Sequence, residues 1–167
     1  MCETEGGDES LDKMEKMEDE QFIFGSLLIA ANRMNTLLER ELKEFEVTSK
    51  QWMLSIVIDN LFSVPPPIKE VAREMGSSHQ NVKQLALKLE QKGLLKLEKD
   101  KKDARITRLK TSEGSAEFWK KTHPKGAAFI GSVFEGMTKE ELAFARAVLN
   151  KISDNLIKME NSKVEEE

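Results

Sequence analysis

The chain has 167 residues, enough for one domain with extensions and a sizeable core. A charged content of 34% and a single cysteine exclude a membrane-embedded bundle and a disulfide scaffold. The net charge of −4 hides an uneven distribution. Residues 1–20 hold nine acids against two lysines, a net of −7, whereas residues 69–110 hold twelve Lys or Arg against six acids, a net of +6.

The first twenty residues read as a solvated, flexible acidic tail. Cys2 within it is read as incidental, and a reducing, cytoplasmic compartment is expected. Met14 and Met17 offer the second half of the tail a way to join the adjoining helix. A tail of this charge is expected to screen the basic segment at low salt. The apolar run FIFGSLLIAA (22–31) is too short to span a bilayer and comes after acids, the reverse of a signal peptide. Helical spacing continues to Phe45, with Ile23, Leu27, Ala30, Met34 and Leu37 at alternating intervals of four and three. Thr48 and Gln51 form a capping box that opens a helix carrying Trp52, Met53, Ile56 and Val57. Pro65, Pro66 and Pro67 end it as a rigid connector, Pro67 suiting the first turn of the next helix.

Residues 68–89, IKEVAREMGSSHQNVKQLALKL, predict two short helices joined by a glycine turn. Ala72, Gly76, Val82 and Leu85 fall four, eight, fourteen and seventeen residues after Ile68. Ala72 lets the helices cross closely, Gly76 turns the chain, and Val82 and Leu85 anchor the second helix on the first. Ser77 and Gln80 predict a capping box at its start. That leaves His79, Gln80, Asn81, Lys83 and Gln84 facing outward, where a recognition helix meets base edges. An ordinary helical hairpin with a solvated polar face would look the same up to this point.

The segment after Leu89 favours recognition over a plain hairpin. Gly93 stops the helix, and LLKLEK (94–99) alternates as a half-buried strand. Residues 100–103 form a charged tip, and Arg105 to Lys110 returns as a second strand, although Ile106 and Leu109 differ in strand parity. Helix, helix, hairpin is the order of a winged helix. Ser112 or Glu113 then starts a helix with a kink or break predicted at His123-Pro124. Thr138 and Glu141 cap the last helix. Its residues Leu142, Ala145, Leu149, Ile152, Leu156 and Met159 recur at threes and fours as a coiled-coil seam.

These residues resemble the MarR family of transcription regulators, most specifically through Gln51 to Ile56, KEVAREMGSSHQNVKQLALKLEQKGLL (69–95), DKKDAR (100–105) and the Thr-Ser…Gly segment beyond. The resemblance spans Phe22 to Met159. Ala104 replaces a basic residue common in the family, and Asp103 to Gly114 is one residue shorter than usual. The implied fold is mainly α with a small β-wing, a winged helix-turn-helix flanked by dimerisation helices. The corresponding segments are an acidic tail (1–20), an N-terminal dimerisation helix (21–47), the DNA-binding domain (48–111), C-terminal dimerisation helices (112–160) and an acidic end (161–167).

The expected function is that of a homodimeric regulator, a repressor bound to a palindromic duplex DNA operator. Its DNA contacts would come from Ser77, Ser78, His79, Gln80, Asn81, Lys83 and Gln84 in the recognition helix and its turn. Lys101, Lys102 and Arg105 would serve the wing. Many MarR relatives bind small, often phenolic molecules. The resemblance puts Met34, Trp52, Met53, Ile56, Trp119 and His123 beside such an effector, although Met and Trp residues serve equally as core. No cofactor is expected: His79 and His123 lie far apart, and no catalytic or metal-ligand spacing stands out. The alternative is a winged-helix module that binds a protein, which has no need of the +6 segment.

Overall fold

The structure is a computed structural model and describes residues 17–164. Cys2, Met14, most of the acidic tail and the last three residues therefore lie outside the described residues. The chain divides into two compact units between Phe129 and Ile130.

The first unit begins with α1 (Asp19–Glu41), so Asp19 and Glu20 belong to the helix rather than the tail. Its first turn carries Asp19 and Glu20 and its last turn Arg40, which suits the helix dipole. No residue of this 23-residue helix is buried. A 3-10 turn (Lys43–Phe45) leads to α2 (Ser49–Leu61). The predicted capping box opens α2: Gln51 N donates to Thr48 Oγ1 at 3.2 Å, and Thr48 N donates to Gln51 Oε1 at 3.0 Å. Next come α3 (Ile68–Glu74), α4 (His79–Gln91), the antiparallel strands β1 (Leu95–Lys99) and β2 (Thr107–Thr111), and α5 (Ala116–Val133).

The core sits where α2, α3, α4 and the hairpin converge. Leu54, Ile58, Ile68, Val71, Val82, Ala86, Leu89, Leu95 and Leu109 are buried there, with Trp52 and Trp119 extending it toward α5. Val82 is fully buried and Leu85 only partly, so Ala86 and Leu89 share the anchoring of α4.

Three sequence expectations need correction. Helix α5 continues through Pro124 without a break. Its α-helical part also starts later than expected, behind a 3-10 turn over Glu113–Ser115. Proline removes a single backbone donor, and the packing of Trp119, Thr122 and Gly126 on the core holds the helix across that gap. The second strand begins at Thr107 rather than Arg105. Ile106 lies in the tip, where its N–H donates to Asp103 O at 2.9 Å and its carbonyl accepts from Asp100 N at 3.0 Å. The parity conflict disappears, since Leu109 pairs with Leu97 on the core face. Pro67, finally, is the cap residue before α3 and bridges Arg108, while Pro66 O accepts from Leu109 N at 2.9 Å. The connector thus lies along β2 as a third, irregular edge.

In the second unit α6 (Lys139–Val164) opens on the predicted Thr138–Glu141 box. Leu142, Leu149, Leu156 and Met159 are exposed along it. Among the described residues no helix is long and apolar enough to cross a membrane.

Candidate nucleic-acid interface

Helix α4 is aimed by its first turn. Gly76 has φ +56°, a conformation that L side chains rarely adopt, and Ser77 N donates back to Ala72 O at 2.9 Å. The cap is Ser78, not Ser77: Ser78 Oγ accepts from Asn81 N at 3.1 Å, and the predicted Ser77–Gln80 box does not form. Ser77 has another task, since Asn81 Nδ2 donates to its Oγ at 2.8 Å. Asn81 therefore spends its backbone donor and part of its amide on the turn. Gln80, Lys83 and Gln84 remain exposed on the outward face, with Val82 and Ala86 buried behind them.

The far end of α4 is tied to the wing. Glu90 Oε1 accepts from Leu97 N at 2.8 Å, and Lys92 Nζ donates to Glu46 O. The strand register sets Lys96 opposite Lys110, a like-charge pair that Glu98 relieves from 3.9 Å on the diagonal.

One carboxylate organises the wing tip. Asp100 Oδ1 accepts from Lys102 N at 2.8 Å and Asp103 N at 3.0 Å, and its Oδ2 accepts from Arg108 Nε. The Arg108 hydrogen bond, together with those backbone donors, holds its pKa down at about 2. Arg108 Nη1 also donates to Pro65 O at 2.9 Å, binding tip and connector together. Arg105 is gripped by Asp103, from Nε to Oδ1 at 3.0 Å and from Nη2 to Oδ2 at 2.9 Å. That pairing lowers the Asp103 pKa and raises that of Arg105. Lys101 and Lys102 are exposed beside it.

Between α3, α4 and the wing lies a cleft of about 500 Å³. Lys69, His79, Lys83, Lys99 and Arg105 line it, against a single acid, Glu70. His79 and Lys83 are one helical turn apart and share a face. Lys69 and Lys99 were not singled out in the sequence. Only the summed charge of 69–110 hinted at them, because three elements distant in the chain bring them together.

The residues expected near an effector separate into two groups. Trp52, Trp119 and His123 form an aromatic cluster between α2 and α5: His123 stacks on Trp119 with centroids 5.3 Å apart and meets Trp52 edge-on at 6.4 Å. Ile56 packs against the core beside them. Met34 and Met53 are exposed. Ser55 Oγ donates to Trp52 O at 2.7 Å, so His123 Nε2, 3.4 Å from the same oxygen, is the donor of that contact. Burial lowers the His123 pKa, and Asp59 partly opposes the shift. Among the described residues neither buried indole N–H, of Trp52 or Trp119, meets an acceptor.

No family model matches this chain. Solved regulators match its fold. AbsC, a MarR family transcriptional regulator from Streptomyces coelicolor, aligns with a TM-score of 0.75 at 19% identity, over 85% of this chain and 97% of its own. The organohalide-sensing RdhR regulator, in its 2,4-dichlorophenol-bound form, gives 0.73 at 18% identity, over 84% and 83%. BpsR of Bordetella bronchiseptica, whose DNA binding is regulated by 6-hydroxynicotinic acid, gives 0.71 at 16% identity, over 83% and 97%. The chain has the winged helix-turn-helix fold of MarR family transcription regulators.

Proposed function

We propose that this chain is a sequence-specific, duplex-DNA-binding transcription regulator that works as a homodimer in the cytoplasm. In this reading it represses from a palindromic operator and is released by a small aromatic effector. The observation that carries the reading is the pairing of a solvated polar helix face with a basic cleft. Gln80, Lys83 and Gln84 stand free on α4 for base edges, and Lys69, Lys83, Lys99 and Arg105 converge beside them from α3, α4 and the wing. The solved relatives lend the reading its regulatory sense.

Dimerisation is argued from apolar surface. Helix α1 exposes Phe22, Ile23, Leu27, Met34 and Leu37 and buries nothing, and α6 exposes its own seam. Stripes of this length are covered in stable proteins, and a second copy covers both. Two-fold symmetry sets recognition helices one DNA turn apart, roughly 34 Å. The effector is assigned to the aromatic cluster. Two unpartnered indole donors beside a stacked imidazole suit a flat ligand that carries an oxygen acceptor.

Sequencing the fragments of its own genome that the protein retains tests the reading. Enrichment of an inverted repeat with half-sites about 10 base pairs apart is expected. Retention without sequence enrichment contradicts it.

A further inference from the structure

We propose that the cleft between α3, α4 and the wing seats one strand of the DNA backbone, with Lys69 and Lys99 as phosphate-binding residues. This rests on the proposed duplex-DNA function and assigns that interface two residues outside the recognition helix and the wing tip.

The charges argue for it. Elsewhere on the winged helix the cations are answered within the protein: Arg73 by Glu74 at 3.0 Å, Arg108 by Asp100, and Lys110 by Glu98 at 3.9 Å. Among the described residues no carboxylate lies within ion-pair distance of Lys69, Lys83 or Lys99. Three unanswered ammonium groups thus face one concavity from three separate elements, and Glu70 alone offsets them. Converging like charges raise the potential inside a cleft with low-dielectric walls, which suits a polyanion.

Shape and placement name the anion. Pro67, Ile68 and Ile106 give the cleft an apolar floor, on which the carbon face of a sugar can rest. The floor is rigid, because Pro67 bridges Arg108 and Arg108 is locked to Asp100. Lys99 Nζ donates to Thr107 Oγ1 at 3.3 Å, which holds its head at the rim. His79 and Lys83 face the cleft, while Gln80 and Gln84 occupy the next face of the same helix. A strand lying in the cleft therefore runs on to bases beneath the glutamines. A free metabolite gains nothing from that continuity.

The test uses Lys69→Gln and Lys99→Gln in the full chain, with the best retained genomic duplex and a scrambled duplex of equal length. Affinities are read over a range of salt. Each variant is expected to reduce the slope of log K against log salt by about 0.9, the signature of one lost phosphate contact on duplex DNA. Both duplexes should weaken by the same factor, leaving the specificity ratio intact, whereas Gln84→Ala should change the ratio and keep the slope. Lys69→Arg and Lys99→Arg should retain the wild-type slope. If a glutamine variant melts lower than wild type, the comparison with its arginine partner at matched stability decides.

Wild-type slopes in both glutamine variants, with wild-type binding intact, overturn the cleft assignment and leave the DNA function standing. Binding of inorganic phosphate that the variants lose, together with unchanged slopes, marks a free-anion site and overturns it equally. A wild-type protein with no salt-dependent duplex binding removes the underlying function instead.

Discussion

Asp103 holds Arg105 through both carboxylate oxygens, at 3.0 and 2.9 Å, and Arg105 N donates to the same Oδ1 at 3.0 Å. The wing arginine is thus neutralised in place while its side chain stays 91% exposed. Exposed pairs contribute about 0–1 kcal/mol at most, so a DNA phosphate can take Arg105 from Asp103 readily. The carboxylate left behind then repels the backbone. Asp103→Asn should therefore tighten duplex binding a few-fold at low salt, with the gain fading as the Debye length falls to about 10 Å near 0.1 M. Salt-titrated fluorescence anisotropy measures this. Weaker binding of the variant at every salt would mean that Asp103 serves chiefly to orient Arg105.

Asp100 makes the wing acid-sensitive. Its folded pKa of about 2 lies below its ordinary 3.8, mainly through the Arg108 hydrogen bond. The stabilisation is therefore complete above about pH 4 and is lost as pH falls through the folded value. Asp100→Asn should lower the melting temperature near neutrality and converge with wild type as pH approaches 2. A gap that stays constant over that range would disconnect the carboxylate from the effect.

Gly126 is a close-approach position. A Cβ there would lie 2.1 Å from Trp52 Cζ2, so Gly126→Ala must displace a buried indole. A loss of about 1–3 kcal/mol is expected by analogy with overpacked cores. Gly131→Ala, in the same helix with nothing within 4 Å, should instead gain about 0.5–1 kcal/mol. Urea unfolding of the two variants measures both, and equal effects would refute the wedge.

His123 adds a second, milder pH dependence. Burial among Trp52 and Trp119 puts its folded pKa below the ordinary 6.5, so the unfolded chain binds the proton more readily. Stability should fall as pH drops below about 6.5, and His123→Gln should flatten that decline. A melting profile that is already flat from pH 7.5 to 5.5 in wild type argues against it.

The winged helix was legible because its constraints are local. Gly76, Gly93 and the Thr48–Gln51 and Thr138–Glu141 boxes act within one turn of the chain, and the helix and strand periods reflect burial on one face. The errors came where distant packing decides. Helix α5 survives Pro124 because Trp119, Thr122 and Gly126 fasten it to the core from both sides. The choice of Ser78 over Ser77 as cap depends on how α3 hands the chain to α4, since either serine fits the pattern. Lys69 and Lys99 are thirty residues apart, and only the folded wing places them in one cleft with Lys83 and Arg105.

Two-fold assembly has a direct check. The exposed stripe on α1 from Phe22 to Leu37 is expected to be covered by a second copy. Light scattering at micromolar concentration should give twice the mass of a 19.0 kDa chain. Leu27→Glu combined with Met34→Glu should shift the protein toward monomer and weaken operator binding, while leaving binding of a single half-site. A folded monomer in the wild type would contradict the two-half-site geometry.

The central claim is that α4 and the adjoining cleft read duplex DNA. Its most direct test compares wild-type affinity for the best retained genomic duplex with that for a scrambled duplex, from about 50 to 200 mM salt. Specific binding about a thousandfold tighter or more, with both affinities falling steeply as salt rises, is the predicted result. Equal affinity for the two duplexes, or binding indifferent to salt, would contradict it.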